Sequence, residues 1–220
     1  MLRLIMLRAL MRRAMVRCAF LLVFFVFAHV ALAQEFSADV VSLKESSVDV
    51  KKIYAGKDKV RAELGGRGTS FGPAAVIIDE AQRIPIVLLT ERHMYMEAPL
   101  AMAAPLITQF WRVPDVNDAC PQWKKVAEQA NAASNFGSCT KEGSEEVNGR
   151  STVKYKGVST HGDTSNVWVD TKLHCVVKTA DSAGGIELRN IQEGAQPASL
   201  FEIPAGYMKF DMGSMMRRPQ

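Results

Sequence analysis

The alternation of apolar and polar positions is clearest across residues 76–100, VIIDEAQRIPIVLLTERHMYMEAPL. Three apolar segments there are separated by two short polar turns, at residues 79–83 and 91–93. Strands joined this closely, with no helix between them, pair antiparallel. In the middle segment Ile84, Ile86 and Leu88 share one face, and Val87 and Leu89 the other. A strand apolar on both faces is covered on both sides. Some other part of the chain must therefore lie over this meander. The candidate cover follows directly. Residues 99–111 contain Leu100, Met102, Leu106, Ile107, Phe110 and Trp111, and residues 121–133 are rich in helix formers.

The same period-two pattern extends to both sides. Residues 36–44 and 48–54 read as strands about a turn at Ser46 and Ser47. In residues 60–64, Val60, Ala62 and Leu64 point one way and Arg61 and Glu63 the other, which is the pattern of one buried and one wet face. Gly65-Gly66-Arg67-Gly68 interrupts it; no Gly-Lys-Ser/Thr follows, so the stretch reads as a turn and not as a phosphate cradle. After the helical excursion, strands return at residues 144–147 and 151–158 about Asn148-Gly149, a pair that tolerates positive φ and favours a tight hairpin. Val153 and Tyr155 face inward there, Lys154 and Lys156 outward. Residues 166–169 and 173–179 make a further pair, residues 186–192 another strand, and residues 201–207 close the domain. The count is roughly eleven strands. A sheet of that size curls, splits or closes. The expected fold is α+β: a strongly curved antiparallel sheet, an incomplete β-barrel, with a short helical cover.

The beginning of the chain follows another pattern. Residues 1–17 carry Arg3, Arg8, Arg12, Arg13 and Arg17 and no acid, and residues 18–30 are almost unbroken apolar. Ala31-Leu32-Ala33 then offers small residues at a cleavage site, with Gln34 next. A basic start, a short apolar centre and an A-x-A site predict a secretory signal peptide over residues 1–33, cut after Ala33. A membrane-spanning anchor would need about 20 apolar residues, and this core is shorter. Residues 34–211 are then the domain, residues 212–220 a disordered tail, and the compartment the periplasm.

Removing the leader changes the charge. The whole chain has 27 basic and 23 acidic residues; without the five leader arginines, 22 basic face 23 acidic. The basicity belongs to the leader and gives no support for nucleic-acid binding. Export also sets the cysteine chemistry, because disulfides form in oxidising compartments. Cys120 and Cys139 flank the excursion and are expected to pair, a closure worth roughly 3 kcal/mol in the chain-entropy model. Cys175 lies in an apolar strand and reads as a buried thiol, with an intermolecular bridge as the alternative.

Candidate chemistry is sparse. The mature histidines, His93, His161 and His174, have no metal-ligand spacing, and there is no H-E-x-x-H or C-x-x-C. His174 and Cys175 are adjacent on an expected strand, so they would point to opposite faces. No G-x-S-x-G occurs, and Glu145-Glu146 reads as solvated hairpin charge. No catalytic residue, cofactor or metal is therefore expected. Methionine is distributed unevenly: Met94 and Met96 share a strand face, and Met208, Met212, Met215 and Met216 crowd the C-terminus. Thioethers are soft Cu(I) ligands and also adaptable fillers of irregular apolar surfaces. Packing or lining a cavity is the better account. Trp111, Trp123 and Trp168 read as core or as a ligand wall.

Several stretches resemble the periplasmic lipoprotein-carrier superfamily, the Lol carriers and their relatives. They are Phe36-Ser37-Ala38-Asp39-Val40, Lys52-Ile53-Tyr54-Ala55-Gly56-Lys57-Asp58-Lys59-Val60-Arg61, and His93-Met94-Tyr95-Met96-Glu97. Val167-Trp168-Val169-Asp170-Thr171-Lys172 and Leu200-Phe201-Glu202-Ile203-Pro204-Ala205-Gly206-Tyr207 complete the set, and the last is the most specific. The resemblance implies an incomplete antiparallel barrel with a helical lid over an apolar cavity, in an uncharacterised bacterial branch of that superfamily. One departure is plain. Those carriers have a helix before the first strand, and here only Gln34 and Glu35 separate the cleavage site from Phe36.

The expected function is non-catalytic binding of an apolar ligand, a lipid or acyl chain, with lipid or lipoprotein handling in the envelope. A lipid or an acylated protein is the expected partner, with transient membrane contact. The expected lining is Met94, Met96, Leu106, Phe110, Trp111 and Trp168. The alternatives are a protein-interaction or sensing module on the same fold, and a methionine-based Cu(I) protein.

Overall fold

A computed structural model describes residues 35–44, 49–66, 72–79, 82, 84–99, 112–129 and 131–210. Its first meander is β1 (Phe36–Ser42), β2 (Val50–Ala55), β3 (Lys59–Leu64), β4 (Ala74–Asp79), β5 (Ile86–Leu89) and β6 (Met94–Glu97). Helix α1 (Cys120–Gln129) follows. A second meander then runs through β7 (Phe136–Val147), β8 (Arg150–Ser159), β9 (Thr164–Asp170), β10 (Val176–Asp181) and β11 (Gly185–Glu193), and β12 (Met208–Lys209) ends the described chain. All twelve strands form one curved, unclosed sheet in the order β12-β6-β5-β4-β3-β2-β1-β11-β10-β9-β8-β7. The two meanders are joined where β1 pairs with β11.

The curved, unclosed antiparallel sheet with a short helix expected above is the architecture the chain has. Bulges help to bend it. The register shifts within β1–β11, β2–β3, β9–β10 and twice within β7–β8. Each extra residue kinks its strand and raises the local twist. The hairpin between β7 and β8 turns at Asn148 and Gly149, both with positive φ, 50° and 74°, as the Asn-Gly signal predicts.

The pairing register defines two continuous faces. On the inner face Met96 is opposite Val87, Val87 opposite Val76, and Val76 opposite Ala62. Ala62 then meets Ile53, and Ile53 meets Ala38. The same face continues beyond β1 through Val40 and Leu188, then Ile186 and Thr179, then Val167 and Tyr155. Most of these side chains are buried, Ile53, Ala62 and Tyr155 to 1% exposure each.

The outer face differs between the meanders. Over β2–β6 it carries Tyr54, Ala75, Ile77, Ile86, Leu88 and Tyr95, and a segment after β11 lies across it, inserting Leu200, Phe201 and Tyr207. The Arg61 guanidinium donates to the Leu200 carbonyl at 3.0 Å. Phe201 packs on Gly56, where a Cβ would meet its ring at 2.9 Å, so only glycine leaves room for it. Past Tyr207 the chain adds β12 in parallel to β6. The outer cover of the first meander is thus this C-terminal strap. Helix α1 lies over the second meander, and residues 100–111 of the expected cover are outside the described residues.

Two strand boundaries differ from the expected ones. β7 begins at Phe136, well before residue 144, and Cys139 is inside it. It is an outer strand with mostly exposed side chains, so burial did not select an apolar alternation there. β10 begins at Val176 because the preceding turn is longer than three residues. One oxygen of the buried Asp170 accepts from the amides of Lys172 and Leu173 at 2.8 and 2.7 Å, and His174 takes a positive φ of 52°.

Candidate ligand cavity

Helix α1 is amphipathic at short range. Trp123 and Val126, three apart, lie on one side. Trp123 joins the cluster formed with Val153, Tyr155, Val169 and Val176, and Val126 packs against the larger inner-face cluster. Pro121 sits in the first turn, where its missing amide hydrogen costs no helical bond. Three attachments fix the helix. The Cys120–Cys139 disulfide ties its first residue to β7, with Cα atoms 5.7 Å apart. The Tyr155 hydroxyl donates to the Val116 carbonyl at 2.9 Å and accepts from the Ala119 amide at 3.2 Å. The Trp123 and Tyr155 rings meet edge to face at 5.2 Å. Burial and the nearby Asp118 and Asp115 carboxylates raise the Tyr155 pKa against the Ala119 bond, so the hydroxyl keeps its proton.

Beside this helix the inner face opens into a cavity of about 490 Å³. Its wall is Trp123, Phe136, Cys139, Tyr155, Val158 and Val167. Its rim carries Ser138, Ser159, Asp163, Ser165, Thr179 and Asp181. An apolar wall with a few polar groups at the mouth, at this volume, is the usual form of a small-ligand site. No lysine, arginine or histidine occurs among the described residues that line it. Two turns hold the rim. Ser159 Oγ donates to Asp163 Oδ2 and accepts from the Asp163 amide, both at 3.1 Å. Asp181 Oδ1 accepts from the amides of Ala183 and Gly184 at 2.8 Å each.

The residues expected to line a site are distributed unevenly. Met94 and Met96 are on the inner face, opposite Leu89 and Val87, toward the other edge of the sheet from the cavity. Trp168 is opposite Lys154 and Lys178 in register, on the outer face. Both ammonium groups lie over its ring, at 5.4 and 5.0 Å, and its Nε1 donates to Glu145 at 2.7 Å. Leu106, Phe110 and Trp111 are outside the described residues. The Cys120–Cys139 pairing is present as expected. Cys175 is buried, and burial pushes its thiol far above the ordinary range. No group of three His, Cys, Asp or Glu that could hold a metal occurs among the described residues.

Phe136, Val158 and Val167 join the cavity without having been singled out by sequence. Tyr155 reads correctly as inward, but that a hollow lies beside it depends on where α1 is attached. The polar outer face of the same strands is a charge network. Buried Asp170 is bonded to Arg150, which also reaches Glu193 at 3.0 Å, and Lys172 meets Glu193 at 2.5 Å. The Lys172 and Arg150 bonds hold the Glu193 carboxyl below the usual range despite some burial. At Glu187 burial pushes the carboxyl up, but bonds from Arg189 and Asn148 and the nearby Lys178 charge outweigh it and lower the pKa.

No protein-family model matches the chain, and no curated protein matches it. Solved structures do. An uncharacterised conserved protein from Thermus thermophilus is 10% identical, with 81% of this chain and 91% of that one covered, at a TM-score of 0.48. PNGF-II is 11% identical over 84% of this chain at a TM-score of 0.48, and the match spans 33% of PNGF-II, about a third of its length. A LolA superfamily protein from Nitrosomonas europaea is 9% identical, with 78% of this chain and 91% of that one covered, at a TM-score of 0.31.

Proposed function

We propose that the chain is a non-catalytic periplasmic binder of an apolar group, a lipid or an acyl chain, serving lipid or lipoprotein handling in the cell envelope. The observation that carries this reading is the cavity of about 490 Å³ beneath α1, walled by Trp123, Phe136, Tyr155, Val158 and Val167. It opens on an inner face that is apolar across most of the sheet. An acyl chain entering there trades water for these side chains, and each buried methylene is worth about 0.8 kcal/mol. Helix α1 acts as the adjustable wall: one end is fixed by the disulfide, while Trp123 and Val126 shift to admit the chain. Met94 and Met96, on the same face, extend the floor for a longer ligand, and thioethers adapt readily to irregular contacts.

Native mass spectrometry of protein purified without detergent, followed by organic extraction, tests the reading. A co-purifying species of lipid mass, lost in a folded Val167→Asp variant, is the expected result. Protein that stays empty after incubation with phospholipid vesicles would contradict it.

A further inference from the structure

The rim of the cavity also carries information about the ligand's polar end. We infer that the site selects apolar ligands ending in a cationic group, such as an ammonium, over those ending in a carboxylate or phosphate. The inference rests on the cavity holding an apolar ligand, as proposed above, and adds the charge of its head. Asp163 and Asp181 are both exposed at the mouth, on separate turns, and both line the cavity. Each commits one oxygen to its own turn: Oδ2 of Asp163 to Ser159, and Oδ1 of Asp181 to the Ala183 and Gly184 amides. No described residue donates to the other oxygen of either.

The basic groups near the rim do not line the cavity; the His161 ring, on the turn that holds Asp163, lies beside the Thr160 hydroxyl at 3.5 Å. Lys44 approaches from outside and donates to the Ser182 carbonyl at 3.1 Å without lining the cavity. Lys154 and Lys178 are on the opposite face, over Trp168. The head of a seated ligand therefore meets two carboxylates, hydroxyls of Ser138, Ser159 and Ser165, and no counter-charge among the described lining residues. The overall charge does not explain such a preference, because 22 basic residues face 23 acidic ones beyond the leader. The selection is local.

The test compares three amphiphiles of one chain length, dodecyltrimethylammonium, dodecanol and dodecanoate, each titrated into the purified protein below its micelle-forming concentration. Exposed ion pairs are individually weak, but attraction for the cation and repulsion of the anion act in the same direction, so a gap of about tenfold in Kd is expected. The Asp163→Asn/Asp181→Asn variant keeps an acceptor oxygen for each turn. It should narrow the gap to about twofold. If that variant does not fold, the wild-type gap should shrink in about 1 M salt, where exposed charges are screened. Dodecanoate binding as tightly as the cation, with dodecanol also bound, overturns the head preference and leaves the cavity reading in place. Binding of none of the three overturns both.

Discussion

The two meanders are built from the same antiparallel pairing, but they bury their faces differently. β4–β6 are apolar on both sides, with the inner-face cluster on one and Leu200, Phe201 and Tyr207 of the strap on the other. β7–β11 carry on their outer side mostly charge, Lys154, Lys178, Glu187 and the groups around Asp170, with Trp168 buried beneath the two lysines. The first half is closed by continuous chain packing. The second is closed by a ten-residue helix held at one end by a disulfide and a tyrosine hydroxyl, and there the cavity opens. If the cavity holds the proposed ligand, binding falls to the second half while the strap closes the first, and a substitution can be aimed at either.

The largest expected effect is in the closed half. Leu88 is fully buried on the outer face beneath the strap. Leu88→Ala should cost about 4 kcal/mol in chemical denaturation and leave ligand affinity unchanged. A matching loss of affinity would mean that the halves are not separable. Next, Cys120→Ser with Cys139→Ser should cost roughly 3 kcal/mol by releasing the loop. It should also change ligand uptake, because it frees the wall of the cavity. Tyr155→Phe is subtler. It removes a buried hydroxyl that serves both Val116 and Ala119, so about 1–2 kcal/mol should be lost, with faster hydrogen exchange at the Ala119 amide.

The smallest effect is electrostatic and confined to the open half. The Glu187 pKa is lowered on folding, so its ionised form stabilises the fold at neutral pH. That contribution is present above its unfolded pKa near 4.5 and is lost as pH falls through the lower folded value. Glu187→Gln should reduce the acid-induced fall in melting temperature, measured by circular dichroism below pH 4.5. An unchanged acid limb would show that its ion pairs with Lys178 and Arg189 contribute nothing.

The sheet was legible because its signals are local. Val60-Arg61-Ala62-Glu63-Leu64 alternates, Asn148-Gly149 fits one turn, and Val87 and Leu89 oppose Ile86 and Leu88. The Cys120–Cys139 pair followed from where the two residues flank the helix. What covers each face was not legible. The need for a cover over the central meander can be read from β5, but Phe201 lies more than a hundred positions away and reaches it only through the fold. Trp168 shows the same limit. Its residue type suits a ligand wall, and only the register against Lys154 and Lys178 places it on the outer face. The cavity wall combines Trp123 of α1 with Phe136, Tyr155 and Val167 of three strands, a combination without a linear pattern.

This arrangement makes the tryptophans the most direct probes of where the ligand sits. A Trp111→Phe/Trp168→Phe variant leaves Trp123 as the only emitter, and Trp111→Phe/Trp123→Phe leaves Trp168. Each would be titrated with a brominated alkyl chain carrying a trimethylammonium head, whose bromine quenches indole emission on contact. The account predicts saturable quenching of Trp123 and none of Trp168. Trp168 quenched as strongly as Trp123, or Trp123 still bright when the protein is saturated, would contradict the placement of the ligand beneath α1.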